Sequence, residues 1–198
     1  MHSTSKYSNE LGLVAEGNMK KSLLAMLLFA MPMIARGQDT QDAAALARSA
    51  GCGPSQTEFN VKTDKNQHPT PPPASDKAIV YVFDTIKLDP GLVIGNVTLR
   101  IGLDGDWMGA NHGDSYFYFP VDPGEHRVCA QWQSSLDIRS KLASAASLTA
   151  EAGQTYYFRA IADARSRDRG AVKLEPLDPA EALLLTSSSA FSTSHPKK

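Results

Sequence analysis

Between Val97 and Ile161 apolar and polar positions alternate, and the alternation is broken at short intervals by Leu103-Asp104-Gly105-Asp106, Val121-Asp122-Pro123-Gly124 and Glu151-Ala152-Gly153-Gln154. A period of two puts neighbouring side chains on opposite faces of a strand, and turn signals at this spacing join short strands into an all-β sandwich. In the first strand Val97, Leu99, Ile101 and Leu103 share one face, with Thr98, Arg100 and Gly102 on the other. Asp104-Gly105 supplies the positive φ of a tight hairpin, and Trp107–Ala110 returns beside it. Ser115–Val121 sets Phe117, Phe119 and Val121 against Tyr116 and Tyr118. Asp122-Pro123-Gly124-Glu125 suits a type II turn into a strand over His126–Gln133. Beyond an Ala- and Ser-rich stretch, Ser140–Ser147, a short strand at Leu148–Ala150 leads through the Ala152-Gly153 turn to inward-facing Tyr156, Phe158 and Ala160; Val172–Leu174 closes the set. Ala78–Phe83 differs, because an almost unbroken apolar run predicts a strand buried on both sides. Residues 76–176 therefore read as a sandwich of about seven or eight strands.

The flanks change character several times. Met19 is followed by Lys20 and Lys21, a nearly all-apolar stretch over Ser22–Ile34, and small residues at Ala35-Arg36-Gly37. That order is a secretory signal peptide over 19–37, cleaved after Gly37. As a membrane anchor the apolar stretch is too short against the roughly 20 residues a span needs, and it contains Pro32. Residues 1–18 lie upstream of the positive region and read as a non-native extension, with Met19 the true start. No cysteine directly follows the apolar stretch, so the lipobox of a lipoprotein is missing. Residues 38–75 form an N-terminal arm: a short helix at Asp42–Arg48 stopped near Gly51, a strand at Glu58–Thr63, and a connector carrying Pro69, Pro71, Pro72 and Pro73. The connector carries the arm across the surface in extended polyproline form, or docks a partner. Residues 177–198 begin with Asp178 as a cap and Pro179 at the first helical position, so that Leu183, Leu184 and Leu185 close one end of the sandwich. The Ser- and Thr-rich run after Thr186 is then a mobile tail or an added edge strand.

Charge is balanced, 20 Lys and Arg against 21 Asp and Glu, so no long-range field favours nucleic acid or an anionic membrane. The two cysteines say more. An exported pair generally bonds, and alternation puts Cys129 with Arg127 and Gln131 on the outward face of its strand. There it can capture a segment crossing outside the sheet, such as the one carrying Cys52. We expect a Cys52–Cys129 disulfide, worth roughly 2–4 kcal/mol in unstrained geometry; two independent thiols are the other reading. Without a Cys-x-x-Cys motif, a redox-active role has no support.

Four segments carry a resemblance: Gly102-Leu103-Asp104-Gly105-Asp106-Trp107-Met108-Gly109, Ser115-Tyr116-Phe117-Tyr118-Phe119, Pro123-Gly124-Glu125-His126, and the run Leu148–Phe158. As a set they resemble domain-of-unknown-function family 2846, over about Asp76–Glu175. The order of elements is also similar to PEGA-type envelope modules. The resemblance implies an exported bacterial domain with no established activity, and it supplies no catalytic residue. The fold expected is a single immunoglobulin/PEGA-like antiparallel β-sandwich with short N- and C-terminal helices.

Candidate chemistry is sparse. Asn111-His112-Gly113-Asp114 reads as a loop with a His and a carboxylate two residues apart, and His126 opens the strand after the next turn. His112, Asp114 and His126 are too few and too scattered to specify a metal, so no metal or cofactor is expected; Asp114 reads as a turn residue and His126 as a strand-start side chain. Asp104, Asp106 and Asp114 resemble a calcium loop only in composition. Trp107, Tyr116 and Tyr118 are the candidate binding group: with Phe117 and Phe119 in the core both tyrosines face outward, where planar rings hold sugars or a partner's aromatic side chains, unless the arm or tail covers them. Ser134-Ser135, Ser144, Ser147 and the serines of 187–194 sit in linker or tail, and Gly-x-Ser-x-Gly does not occur. The expectation is a non-catalytic module, periplasmic or extracellular, that binds or supports an envelope protein or glycan, without nucleic acid and without stable membrane insertion after signal cleavage. The alternatives are a glycan-binding module using Trp107, Tyr116 and Tyr118, and a metal-dependent hydrolase built on His112, Asp114 and His126.

Overall fold

Alternation becomes two stacked sheets. The computed structural model describes residues 50–88, 97–135, 137–164 and 170–198, all within a compact unit spanning Arg36–Lys198. The signal segment, the upstream extension and the helix expected at Asp42–Arg48 lie outside the described residues. In chain order the strands are β1 (Phe59–Asp64), β2 (Ala78–Leu88), β3 (Thr98–Leu103), β4 (Asp106–His112), β5 (Ser115–Val121), β6 (Gly124–Gln133), β7 (Ala143–Ala150), β8 (Thr155–Ala164), β9 (Ala171–Pro176) and β10 (Ala190–Pro196). The larger sheet has the order β1-β10-β5-β2-β8-β9 and the smaller β4-β3-β6-β7.

The core between them is the set the alternation assigns inward. Val80 and Val82 of β2, Phe117 and Phe119 of β5, and Phe158 and Ala160 of β8 meet Leu99 and Ile101 of β3 and Val128, Ala130 and Trp132 of β6. Each large apolar side chain so buried contributes about 1.5–3 kcal/mol relative to exposure. The β3–β4 reversal is made by Asp104 and Gly105 at φ of 52° and 99°, the primed turn whose twist matches that of paired strands.

Several expectations need correction. The sandwich is not wholly antiparallel: β2 and β8 run parallel along their shared length, and β10 meets β5 parallel at Ala190↔Ser115 and Phe191↔Tyr116. Between β2 and β8 the chain visits the smaller sheet twice, so it re-enters the larger one in the same direction. Ala143–Ser147, read as part of a linker, belongs to β7 and pairs with β6. Its alternation is hidden because Ala and Ser are both small, although Ala146 and Leu148 lean on the core. Asn111 and His112 end β4 rather than lying in a loop.

The arm and tail are parts of the larger sheet, which therefore extends past residues 76–176. β1 pairs with β10 from Phe59↔Pro196 to Asp64↔Phe191, and β10 sits between β1 and β5, so the Ser- and Thr-rich run is an interior strand. Side chains tie the sheet margins together: Ala110 N donates to Ser194 Oγ at 3.0 Å, Leu174 N to Ser144 Oγ at 3.0 Å, and Phe59 N to Gln133 Oε1 at 2.7 Å.

The C-terminal helix, Pro179–Ser188, starts as the sequence predicts, with Asp178 Oδ1 accepting from Ala180 N at 2.9 Å and Glu181 N at 3.2 Å. Its phase differs from the expectation. Ala182 and Thr186 are buried and Leu185 packs on the sheet, whereas Leu183 and Leu184 are 63% and 70% exposed. Positions 182, 185, 186 and 189 share the inner side at helical spacing, so only one of three consecutive leucines can join them.

Candidate functional site

The expected aromatic group divides between the two sheets. Tyr116 and Tyr118 leave β5 on the outer face of the larger sheet, while Trp107 belongs to β4 in the smaller one. On the larger face Tyr81 lies 5.2 Å from Tyr118 and 5.4 Å from Tyr157, and Tyr116 lies 5.2 Å from Phe83 and 5.5 Å from Phe191, ring centre to ring centre. Ile79, Leu177 and Ala182 complete this second core. The β2 run is thus apolar throughout because both its faces are covered, as the sequence indicates.

The cover is the proline-rich connector. β1 and β2 are separated in the sheet by β10 and β5, so the chain joining them must cross that face. Pro69, Pro71 and Pro73 are half-buried while Thr70 and Pro72 are exposed. Tyr116 Oη donates to Pro69 O and Tyr81 Oη to Pro71 O, each at 3.3 Å. Prolines suit a segment that donates nothing to the strands beneath it. Burial, helped by the neighbouring tyrosines, pushes both hydroxyls up to about 12, so they remain protonated donors. Tyr116 is completely buried, so of the two readings of the outward tyrosines the structure shows the covered one, and Trp107 stands apart from them on the other sheet.

The smaller sheet is covered by residues 50–57 of the arm. The Cys52–Cys129 disulfide forms, with Cα atoms 5.1 Å apart and both residues fully buried. Cys129 is on the outward face as the alternation requires, and the arm seals it. Gly102 permits the close approach, since a Cβ there would stand 2.5 Å from Gly51 O. Arg100, only 3% exposed, donates through Nη1 to Ser55 O at 3.0 Å and Thr57 O at 2.6 Å, and through Nη2 to Gln131 Oε1 at 2.8 Å. Its guanidinium stacks 4.6 Å from the Trp107 ring centre, and Trp107 Nε1 donates to Pro54 O at 2.8 Å. Burial pulls the Arg100 pKa down, partly offset by Glu58.

Of the His and Asp candidates, His112 ends β4, His126 lies near the start of β6 and Asp114 lies between β4 and β5. His126 Nδ1 lies 2.6 Å from Asp104 Oδ2 and its Nε2 2.8 Å from Asp122 O. Both partners only accept, so the ring makes both bonds as imidazolium. Burial opposes that charge, but the bonds to Asp104 and Asp122 outweigh it and raise the His126 pKa. His112 Nδ1 pairs with Thr98 Oγ1 at 2.9 Å, and burial lowers its pKa. Among the described residues no three of His, Cys, Asp and Glu stand close enough to hold a metal.

One group escapes the sequence reading. Asp84 directly follows the apolar run of β2, is 3% exposed, and is held well above the usual carboxylate range first by burial and then by Asp114. A carboxylate at the next inward position after Val80 and Val82 is the signal that could have found it.

No protein-family model, curated protein or solved structure matches the chain, so the likeness to family 2846 rests on its motif set alone.

Proposed function

We propose that the chain is an exported, non-catalytic β-sandwich module that binds and supports a protein of the bacterial cell envelope, in keeping with its resemblance to family 2846. The observation that carries this reading is the disulfide between the arm and β6, a bond that persists in oxidising compartments. It follows, by a short interval, a segment with the order of a secretory signal over Met19–Gly37. With the aromatic face covered, the most exposed large apolar side chains among the described residues are Leu183 and Leu184 on the C-terminal helix. Adjacent exposed leucines on an ordered helix suit protein contact better than sugar stacking.

Intact mass and thiol count on protein from its native host test the address: a chain starting at Gln38 with no free thiol is expected, and a retained N-terminus with two thiols contradicts it. The contact is tested by Leu183→Asp with Leu184→Asp. Both sites are solvent-facing, so the melting temperature should hold while recovery of an envelope protein by crosslinking in cells falls at least about tenfold, a loss of 1.4 kcal/mol or more. Unchanged recovery would remove this helix from the interface.

A further inference from the structure

The inner faces of β2, β4, β5 and β10 turn polar at one end of the sandwich. Val80 and Val82 of β2 are core, and the next inward position is the buried Asp84, neither of whose carboxylate oxygens has a hydrogen-bond partner among the described residues. Asn111 of β4 is fully buried; its Nδ2 donates to Val82 O at 2.9 Å, while its Oδ1 has no partner among the described residues. The acceptor, Val82, stands two residues before Asp84 on the same strand. The antiparallel register of β2 and β5 ends at Phe83↔Tyr116, and Asp84 and Ser115 are the next residues along the two strands. Ser115 and Ser192, both buried, share a hydrogen bond of 2.7 Å between their hydroxyls. Asp114 reaches alongside β2, with Oδ1 3.5 Å from Ile86 N. An unpaired buried carboxylate is among the costliest groups a core can hold. Here three buried acceptor oxygens without donors lie beside a second carboxylate, and the partner such a set lacks is positive.

We propose that Asp84 and Asn111 form the inner wall of a hard-cation site of the calcium class, with Asp114 as the second carboxylate and the Ser115 and Ser192 hydroxyls at its edge. Every donor is an oxygen atom, which selects calcium over the metals that His and Cys hold. Two carboxylates and an amide place the affinity with the weaker extracellular modules, on the order of 10⁻⁴–10⁻³ M. The cation replaces the proton that burial otherwise leaves on Asp84.

The test is calorimetric titration of the full, chelator-treated chain with calcium chloride at mildly alkaline pH, alongside thermal melts, with magnesium and sodium chloride for comparison. Calcium should release or absorb heat and raise the melting temperature by several degrees, saturating in the millimolar range. Asp84→Asn, which keeps the side-chain shape, should abolish both effects. Asp114→Asn, at an exposed turn where folding is not at stake, should shift the midpoint upward roughly tenfold. Absence of a calcium-specific response up to about 10 mM, well above that affinity range, overturns the site, as does a response that survives in Asp84→Asn.

Discussion

Both outer faces of this sandwich carry chain that precedes β2, joined on the larger sheet by the C-terminal helix, and that chain is held on the two faces in opposite ways. Over the smaller sheet residues 50–57 are held by a disulfide, by two hydrogen bonds from the buried Arg100 fork, which Gln131 holds in place, and by Trp107. Over the larger sheet Pro69–Pro73 rests on rings, with two 3.3 Å hydroxyl bonds and no ladder. A segment with few backbone partners needs either directional, charge-assisted contacts or enough apolar area; this protein uses one solution on each side. The two covers should therefore fail under different conditions.

The largest effect is expected on the aromatic side. Tyr116→Ala removes a fully buried ring and should cost about 3–5 kcal/mol in denaturant unfolding. Tyr116→Phe, which loses only the bond to Pro69 O, should cost about 0.5–1.5 kcal/mol. Equal costs would mean that the hydroxyl rather than the ring holds the connector. On the polar side, replacing Cys52 and Cys129 together by Ala should lower stability by about 2–4 kcal/mol, since the bond spans 77 positions of sequence. A loss below about 1 kcal/mol, under the range for a disulfide of this span, would mean that Arg100 and Trp107 hold this cover without the bond.

The smallest effect separates the faces by pH. The His126 pKa is raised and the Asp104 pKa lowered, burial opposing both charges and their mutual bond prevailing. His126 contributes stability that is full below its ordinary 6.5 and is lost as pH rises through the raised folded value. Asp104 contributes stability that is full above its ordinary 3.8 and is lost as pH falls through the lowered folded value. His126→Gln should therefore cost most between those ordinary values, by less than about 1 kcal/mol because the Asp104 carboxylate is half exposed to solvent, and the difference should fade in alkaline melts. The hydroxyls that hold Pro69 and Pro71, which titrate near 12, should show no such window.

Much of this was legible in the chain. Alternation assigned the inner and outer sets of β3, β5 and β6, the Asp104-Gly105 turn, and the outward Cys129 that the arm could reach. It also indicated that β2 is covered twice. Strand order was hidden because period and turns are local, whereas the parallel β2–β8 pairing arises from the path the chain takes through the other sheet. Only Leu148–Ala150 of β7 was legible, because Ala and Ser carry no contrast over Ala143–Ser147, and the tail's place inside the sheet was hidden because Ser192 and Ser194 act through hydroxyl bonds to β5 and β4 that polarity does not reveal. For the aromatic group, facing outward was legible and being covered was not: Trp107 and Tyr116 have the same exposed pattern in sequence but lie under different segments of arm.

The most direct test is hydrogen exchange followed by mass spectrometry on oxidised and reduced protein. Reduction should speed exchange in residues 50–57 and around Arg100, Trp107 and Cys129, while β2, β5 and the segment flanking Pro69–Pro73 keep their protection. Simultaneous loss of protection on both faces, or none on either, would contradict the account of two independently held covers.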